Sequence, residues 1–147
     1  MRTTIAKQFR WEMGHRLPDH QGLCKNIHGH SYEAQVILAG EPDQSGMVMD
    51  YYDLKSLVQP LIDRLDHCFL VDSSDALMKA FFADHPMKVV EIHVPTTAEN
   101  IAQHLLEHII AELPNGHRVD SVKVRIYETE KTYAEVEADV PPTHPTH

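Results

Sequence analysis

The chain has 147 residues, and 13 Lys and Arg against 22 Asp and Glu give a formal charge of −9 with His neutral. That length fits one domain with an adequate core and leaves no room for a second. An acidic chain of pI near 5.7 also argues against nucleic acid or an anionic membrane as partner, because neither is drawn to such a field. Histidine is the unusual component, with 12 copies; it titrates near neutrality and is the commonest metal ligand, so the question is which copies act together. No stretch approaches the roughly 18 apolar residues of a membrane span, and the start of the chain lacks the apolar core of a signal peptide. A cytoplasmic protein is the default expectation. Cys24 and Cys68 are too few for a disulfide framework and are expected to be thiols.

In chain order, residues 3–12 mix β-branched and aromatic residues with polar ones and predict a first strand. Residues 28–38 predict a second, because His28, His30, Tyr32, Ala34, Val36 and Leu38 fall on one face at period two. After a turn at 41–46, Leu54, Leu57, Val58, Leu61, Ile62 and Leu65 recur at helical spacing behind Asp50 and Asp53. They predict an amphipathic helix over 53–65 that contains a bend-prone Pro60. The segment 72–94 suggests a short helix capped by Ser74 or Asp75, then a short strand in MKVVEIHV. A second firm helix follows, with Thr96 and Glu99 at capping-box spacing and Ile101, Leu105, Ile109 and Leu113 on one face, stopped by Pro114, Asn115 and Gly116. Alternation at 122–126 and 134–140, about a turn near Glu130, predicts a hairpin. The expected fold is α+β in ββααββ order: a four-stranded antiparallel sheet with two helices inserted between the strand pairs. Residues 1–140 form the single domain and 141–147 a flexible tail rich in Pro and His.

The most distinctive local feature is Cys24-Lys25-Asn26-Ile27-His28-Gly29-His30. Histidines at i and i+2 on a strand project the same way and can share one ion, with Gly29 keeping the opposite side small. His15, near the end of the first strand, is the best third ligand, and three neutral imidazoles would leave a tetrahedral Zn²⁺ one open position. The plainer reading keeps His28 and His30 as polar strand residues around a glycine bulge. Cys24 can be a base or nucleophile, a fourth metal ligand, or an inert thiol. Asp66-His67 offers a carboxylate and an imidazole at the end of the first helix, either to orient a base or simply to meet the helix dipole. His104-Leu105-Leu106-Glu107-His108 matches the inverted zinc-protease pattern, against the plainer alternative of solvated histidines at the border of an apolar face. Glu128, at a hairpin turn, has the right chemistry to accept a guanidine-like N–H pair, although such acids are commonly just solvated.

Taken in order, Gly-His15-Arg-Leu-Pro, Cys24-x-x-x-His28-Gly-His30-Ser-Tyr, Leu65-Asp66-His67, Pro95-Thr96-Thr97-Ala98-Glu99-Asn100 and Tyr127-Glu128-Thr129 resemble the 6-pyruvoyl-tetrahydropterin synthase family. The three-residue gap between Cys24 and His28 looks like its bacterial branch, the 6-carboxytetrahydropterin synthases of the queuosine pathway. The resemblance implies the tunnelling fold, a homohexamer built as two stacked trimers, and active sites between subunits. It further implies that His15, His28 and His30 bind Zn²⁺, that Cys24 and an Asp66-oriented His67 move protons, and that Glu128, with Thr96 and Thr97, holds the pterin. The implied substrate is the small molecule 7,8-dihydroneopterin triphosphate, and the implied products are 6-carboxytetrahydropterin, acetaldehyde and triphosphate. The sister pyruvoyl activity and a noncatalytic zinc-binding protein stand as alternatives. Lys25, Arg16, Lys131 and Arg125 are the cations available for a triphosphate.

Overall fold

Strict alternation over two long stretches makes Thr3–His15 (β1) and His28–Gly40 (β2) an antiparallel pair whose register runs from Thr3 opposite Gly40 to His15 opposite His28. The computed structural model describes residues 1–141. Of the tail expected at 141–147 only Pro141 falls within them, so His144 and His147 lie outside the described residues. β5 (Val119–Thr129) pairs antiparallel with β2, and β6 (Thr132–Asp139) with β5.

The expected four-stranded antiparallel sheet with two helices is corrected here. Two further strands, β3 (Phe69–Asp72) and β4 (Val89–Ile92), run parallel to each other on the far side of β1. The result is a six-stranded mixed sheet in the order β4-β3-β1-β2-β5-β6. A third helix, α2 (Ala76–Asp84), joins β3 to β4, as parallel neighbours require a crossover rather than a tight turn. β4 is the short strand expected in MKVVEIHV, and α2 is the short helix expected just before it, capped by Asp75; β3, with only 4 residues, eluded periodicity. In β3, moreover, the consecutive Leu70 and Val71 are both buried, so the chain reads as a short apolar run instead of an alternation.

The helices α1 (Tyr51–Leu65) and α3 (Ala98–Glu112) cover the sheet. Leu54, Val58, Ile62 and Leu65 of α1, and Ile101, Ala102, Leu105, Leu106 and Ile109 of α3, are buried against Trp11, Tyr32, Val36, Val122, Val124 and Ile126. Each Leu or Ile so removed from water contributes about 2 kcal/mol. Pro60 is tolerated inside α1 because it lies on the exposed face, as does Ser56, whose carbonyl loses its helical partner to the proline and meets water instead. α3 starts one residue later than its spacing predicts: the Thr97 hydroxyl, not that of Thr96, accepts from the Asn100 N–H. That shift frees Thr96 for the site described below.

The β3–α2–β4 excursion is tied to the functional end of the sheet by one ion pair. Asp75 caps α2, accepting from the Met78 N–H, and receives Arg16 in a fork, from Nε and Nη2 at 2.7 Å each. Asp75 is 5 % exposed, so removing either partner strands a charge in a low dielectric. Asp75→Ala is therefore expected to lower the unfolding free energy by about 3 kcal/mol, read from the midpoint of a urea titration. A Leu77→Ala control on the exposed side of α2 should move it little.

Candidate metal centre and active site

β1 and β2 end together, and their register assembles three imidazoles. His15 stands opposite His28, and His30 follows on the same face, because a strand returns to one face every second residue. The ring centroids are 4.6 Å (His15–His28), 5.2 Å (His15–His30) and 4.9 Å (His28–His30) apart. One ring nitrogen of each lies within 4.8 Å of those of the other two. Gly29 allows this close approach, since a Cβ there would sit 3.0 Å from the Met13 carbonyl oxygen.

Two of the three rings, His15 and His28, are oriented by backbone. His15 Nδ1–H donates to the Thr96 carbonyl at 2.8 Å, and the Thr96 hydroxyl donates to the Arg16 carbonyl at 3.2 Å. His28 Nδ1–H donates to the Asn26 carbonyl at 2.7 Å. This is the arrangement in which a metal-binding imidazole keeps its second nitrogen free. Nε2 of His15 and Nε2 of His30 are buried without any hydrogen-bond partner. Burial of a polar nitrogen without a partner costs free energy, and a cation among the three rings would satisfy both. The chemistry fits Zn²⁺, whose bonds to imidazole nitrogen are about 2.0–2.1 Å long. No cysteine or carboxylate among the described residues joins the group, so three protein ligands would leave a position for substrate or water.

Burial also favours the neutral form of His15 and His30, the form that can ligate. Desolvation pushes His15 down to about 4, with the neighbouring His28 and His30 adding to the effect against the opposing Thr96 bond. Desolvation lowers His30 as well. Because the folded state holds the His15 proton less tightly than the unfolded chain, its contribution to stability is complete above about pH 6.5 and is lost as the pH falls towards 4. Metal-free protein in chelator is expected to melt progressively lower across that window, and His15→Gln should remove this part of the slope.

Beside the imidazoles, Glu128 Oε2 lies 3.9 Å from His30 Nε2. Burial, with the Glu99 carboxylate adding to it, raises Glu128 above the ordinary carboxylate range. Glu128, Glu99 and Thr97 line one cleft together with Leu17 and Tyr133. Thr96 does not line it; it is fully buried and acts through His15. Of the four candidate cations, Arg16 is committed to Asp75 and Arg125 to Glu135 at 2.8 Å. Lys25 and Lys131 are exposed and have no carboxylate partner among the described residues.

Residues 4–139 match the family described as 6-pyruvoyl tetrahydropterin synthase. The chain belongs to that family. It is 32 % identical to the 6-carboxy-5,6,7,8-tetrahydropterin synthase of Haemophilus influenzae over 139 residues, covering 89 % of this chain and 96 % of the relative. It is 29 % identical to the enzyme of the same name from Aquifex aeolicus, covering 92 % and 98 %. Among solved structures, 6-pyruvoyl tetrahydropterin synthase of Caenorhabditis elegans aligns with a TM-score of 0.71 at 26 % identity over 95 % of this chain and 97 % of that one. The Plasmodium vivax 6-pyruvoyl tetrahydropterin synthase shares the fold with a TM-score of 0.79 at 19 % identity, over 95 % and 99 %.

Within this family member the remaining sequence-derived candidates are not all brought together. Cys24 sits partly exposed in a 3-10 turn (Leu23–Lys25), where its carbonyl accepts from the Leu17 N–H. Asp66 and His67 follow α1 and grip β1 at Glu12: the Glu12 N–H donates to Asp66 Oδ1 at 3.0 Å, and the His67 N–H to the Glu12 carbonyl at 2.7 Å. His67 Nδ1 pairs with Asp66 Oδ1 at 2.9 Å, so the ring turns its Nε2 away from that carboxylate. The Glu12 N–H, and then His67, hold the Asp66 carboxyl below its ordinary range. The His67 cleft is lined by Glu12, Met13, Gly14, Gly29, His30 and Ser31; the side chains of Glu12 and Ser31, with Gly14 and Gly29, alternate with those of Met13, His15, His28 and His30 and so take the other face of the strand pair. Within one chain, the β1–β2 ribbon therefore separates His67 from the imidazoles.

His67 also carries backbone strain. It is the one non-glycine residue with positive φ, at 61°, among the described residues, a conformation worth about 1 kcal/mol or more against an ordinary L-residue. Asn occupies this region more readily. His67→Asn is expected to melt at or above the wild-type temperature while turnover falls at least 100-fold, measured by scanning calorimetry and a product assay on the same preparation.

Proposed function

We propose that the protein is a zinc-dependent carbon–carbon lyase that converts 7,8-dihydroneopterin triphosphate to 6-carboxy-5,6,7,8-tetrahydropterin, with release of acetaldehyde and triphosphate. The observation that carries this reading is the imidazole triad, with the Nε2 atoms of His15 and His30 orphaned, next to Glu128, in a chain whose relatives bear the carboxytetrahydropterin synthase name. His15, His28 and His30 would hold the ion, which when bound acidifies coordinated hydroxyls and stabilises negative charge at oxygen. Glu128 accepts the N–H groups of the amino-pyrimidine edge, with Thr97 beside it in the cleft. Cys24 removes a proton from the side chain, and His67 Nε2, fixed by Asp66, handles protons on the opposite side of the reacting carbons. Lys25 and Lys131 are the cations free to meet triphosphate, in a protein whose overall charge repels it.

Because the β1–β2 ribbon stands between His67 and the triad of its own chain, this reading places His67 at a triad held by another subunit. It thereby includes a homo-oligomer, a hexamer of two trimers, with sites between chains. The substrate is a small molecule; neither nucleic acid nor membrane is a partner, and the setting is cytoplasmic. Among the described residues no helix is long and apolar enough to cross a membrane. Metal-loaded protein incubated with dihydroneopterin triphosphate should release acetaldehyde together with triphosphate. Release of neither overturns the reading, and pyruvoyl-tetrahydropterin accumulating without acetaldehyde assigns the sister activity instead.

A further inference from the structure

The imidazole triad leaves a second group of histidines unused. His104 and His108 are four residues apart on α3 and so lie one turn above each other on one face. Their ring centroids are 4.3 Å apart, near enough for the two imidazoles to reach one ion. His108 Nδ1–H donates to the His104 carbonyl at 2.8 Å, which fixes the ring and leaves Nε2 to bind. Both are half-buried and open into a cleft of about 330 Å³, which His93, Glu91, Asn100, Gln103 and Glu107 also line. Burial, with the His108 ring adding to it, lowers His104 and favours the neutral ligand.

The third donor follows from what is free. Glu91 is paired with Lys79 at 3.4 Å, and Glu107 accepts from the Gln103 amide at 2.9 Å. His93 is exposed just past the end of β4 and makes no such bond. Among the described residues only the first triad has its donor atoms gathered, so His93 must rotate to close the site.

We propose that His104 and His108, completed by His93 across the cleft, form a second site for a borderline divalent transition metal such as Zn²⁺, weaker than the first. Imidazole ligands select this class of ion over Mg²⁺ or Ca²⁺. The weakness follows from having two prepositioned ligands in place of three and from the cost of ordering His93. With Glu107 held by Gln103, the site binds metal without the water-activating carboxylate that the inverted protease motif requires.

The test counts zinc on the intact protein by equilibrium dialysis with elemental analysis. Two ions per chain are expected, one held tightly and one with a dissociation constant on the order of micromolar, given two fixed imidazole ligands. His104→Ala and, separately, His108→Gln should abolish the weak ion and leave the tight one. His93→Ala, an exposed change that leaves the fold alone, should weaken it about tenfold. Magnesium at the same concentrations should not compete. One ion per chain in the wild-type protein, or a weak ion that survives both helix variants, overturns the proposal. Because the tight ion and acetaldehyde release are read separately, failure here leaves the proposed activity standing, and failure there leaves this site standing.

Discussion

Cys24→Ala is expected to lower turnover about 1000-fold or more, as the loss of a proton-transferring group does, while the tightly bound zinc stays at the wild-type level. The structural ground is that Cys24 is not among the residues of the imidazole group, so removing its sulfur takes no ligand from the ion. Activity and metal content must therefore separate. A protein that only stores zinc would be indifferent to the change, and a Cys24 that served as fourth ligand would lose metal and activity together. The same variant tests the shared site. If Cys24 works with a His67 from another chain, then Cys24→Ala and His67→Ala subunits, each inactive alone, should regain activity when unfolded together and reassembled. Random mixing puts an intact pair at about a quarter of the sites. Recovery of none would mean that both residues serve a site within one chain, against the position of His67 behind the β1–β2 ribbon.

His28→Ala is expected to weaken the tight zinc site by on the order of 1000-fold, since a three-ligand centre becomes a two-ligand one, and to abolish turnover with it. His28 is the clean position for the test. It lies at the partly exposed start of β2, whereas His15 is 1 % exposed and its removal would also leave a cavity. Thr96→Val provides the contrast: it keeps the carbonyl that orients His15 at 2.8 Å and deletes the hydroxyl, which bonds the Arg16 carbonyl and lies 3.1 Å from His15 Nδ1, so metal affinity should fall less than about tenfold. Dialysis at low free zinc keeps the weaker α3 site out of both measurements. Equal loss in the two variants would mean that the network behind His15, rather than the ligand count, sets the affinity.

Much of this was legible from local pattern. β1, β2, β5, β6, α1 and α3 all have alternation or helical spacing sustained over 8 or more residues, enough for a period to show. β3 does not, and although β4 reads as a short strand, the pairing of the two is decided by contacts that α2 brings together from 20 residues apart, as Phe69 beside Val89. Thr96 is the instructive case within the site. Its spacing to Glu99 reads as a helix cap, yet the helix begins at Thr97, because the Thr96 carbonyl and hydroxyl are already engaged by His15 and Arg16. Arg16 looked like a phosphate ligand and is a structural cation, since its partner Asp75 lies 59 residues away.

The amino-acid sequence by itself therefore determined the family, the three imidazoles that could share an ion and the acidic surface, because residue type, strand period and charge are properties of residues and their neighbours in the chain. Only the tertiary structure decided how the ligands are oriented, which cations are already neutralised, and that His67 faces away from the imidazoles of its own chain. Those depend on which side of the β1–β2 ribbon each group occupies and on partners distant in sequence. The twelve histidines divide by the same rule: spacing nominates pairs such as 28 with 30 and 104 with 108, but burial, register and a free ring nitrogen determine what each can bind.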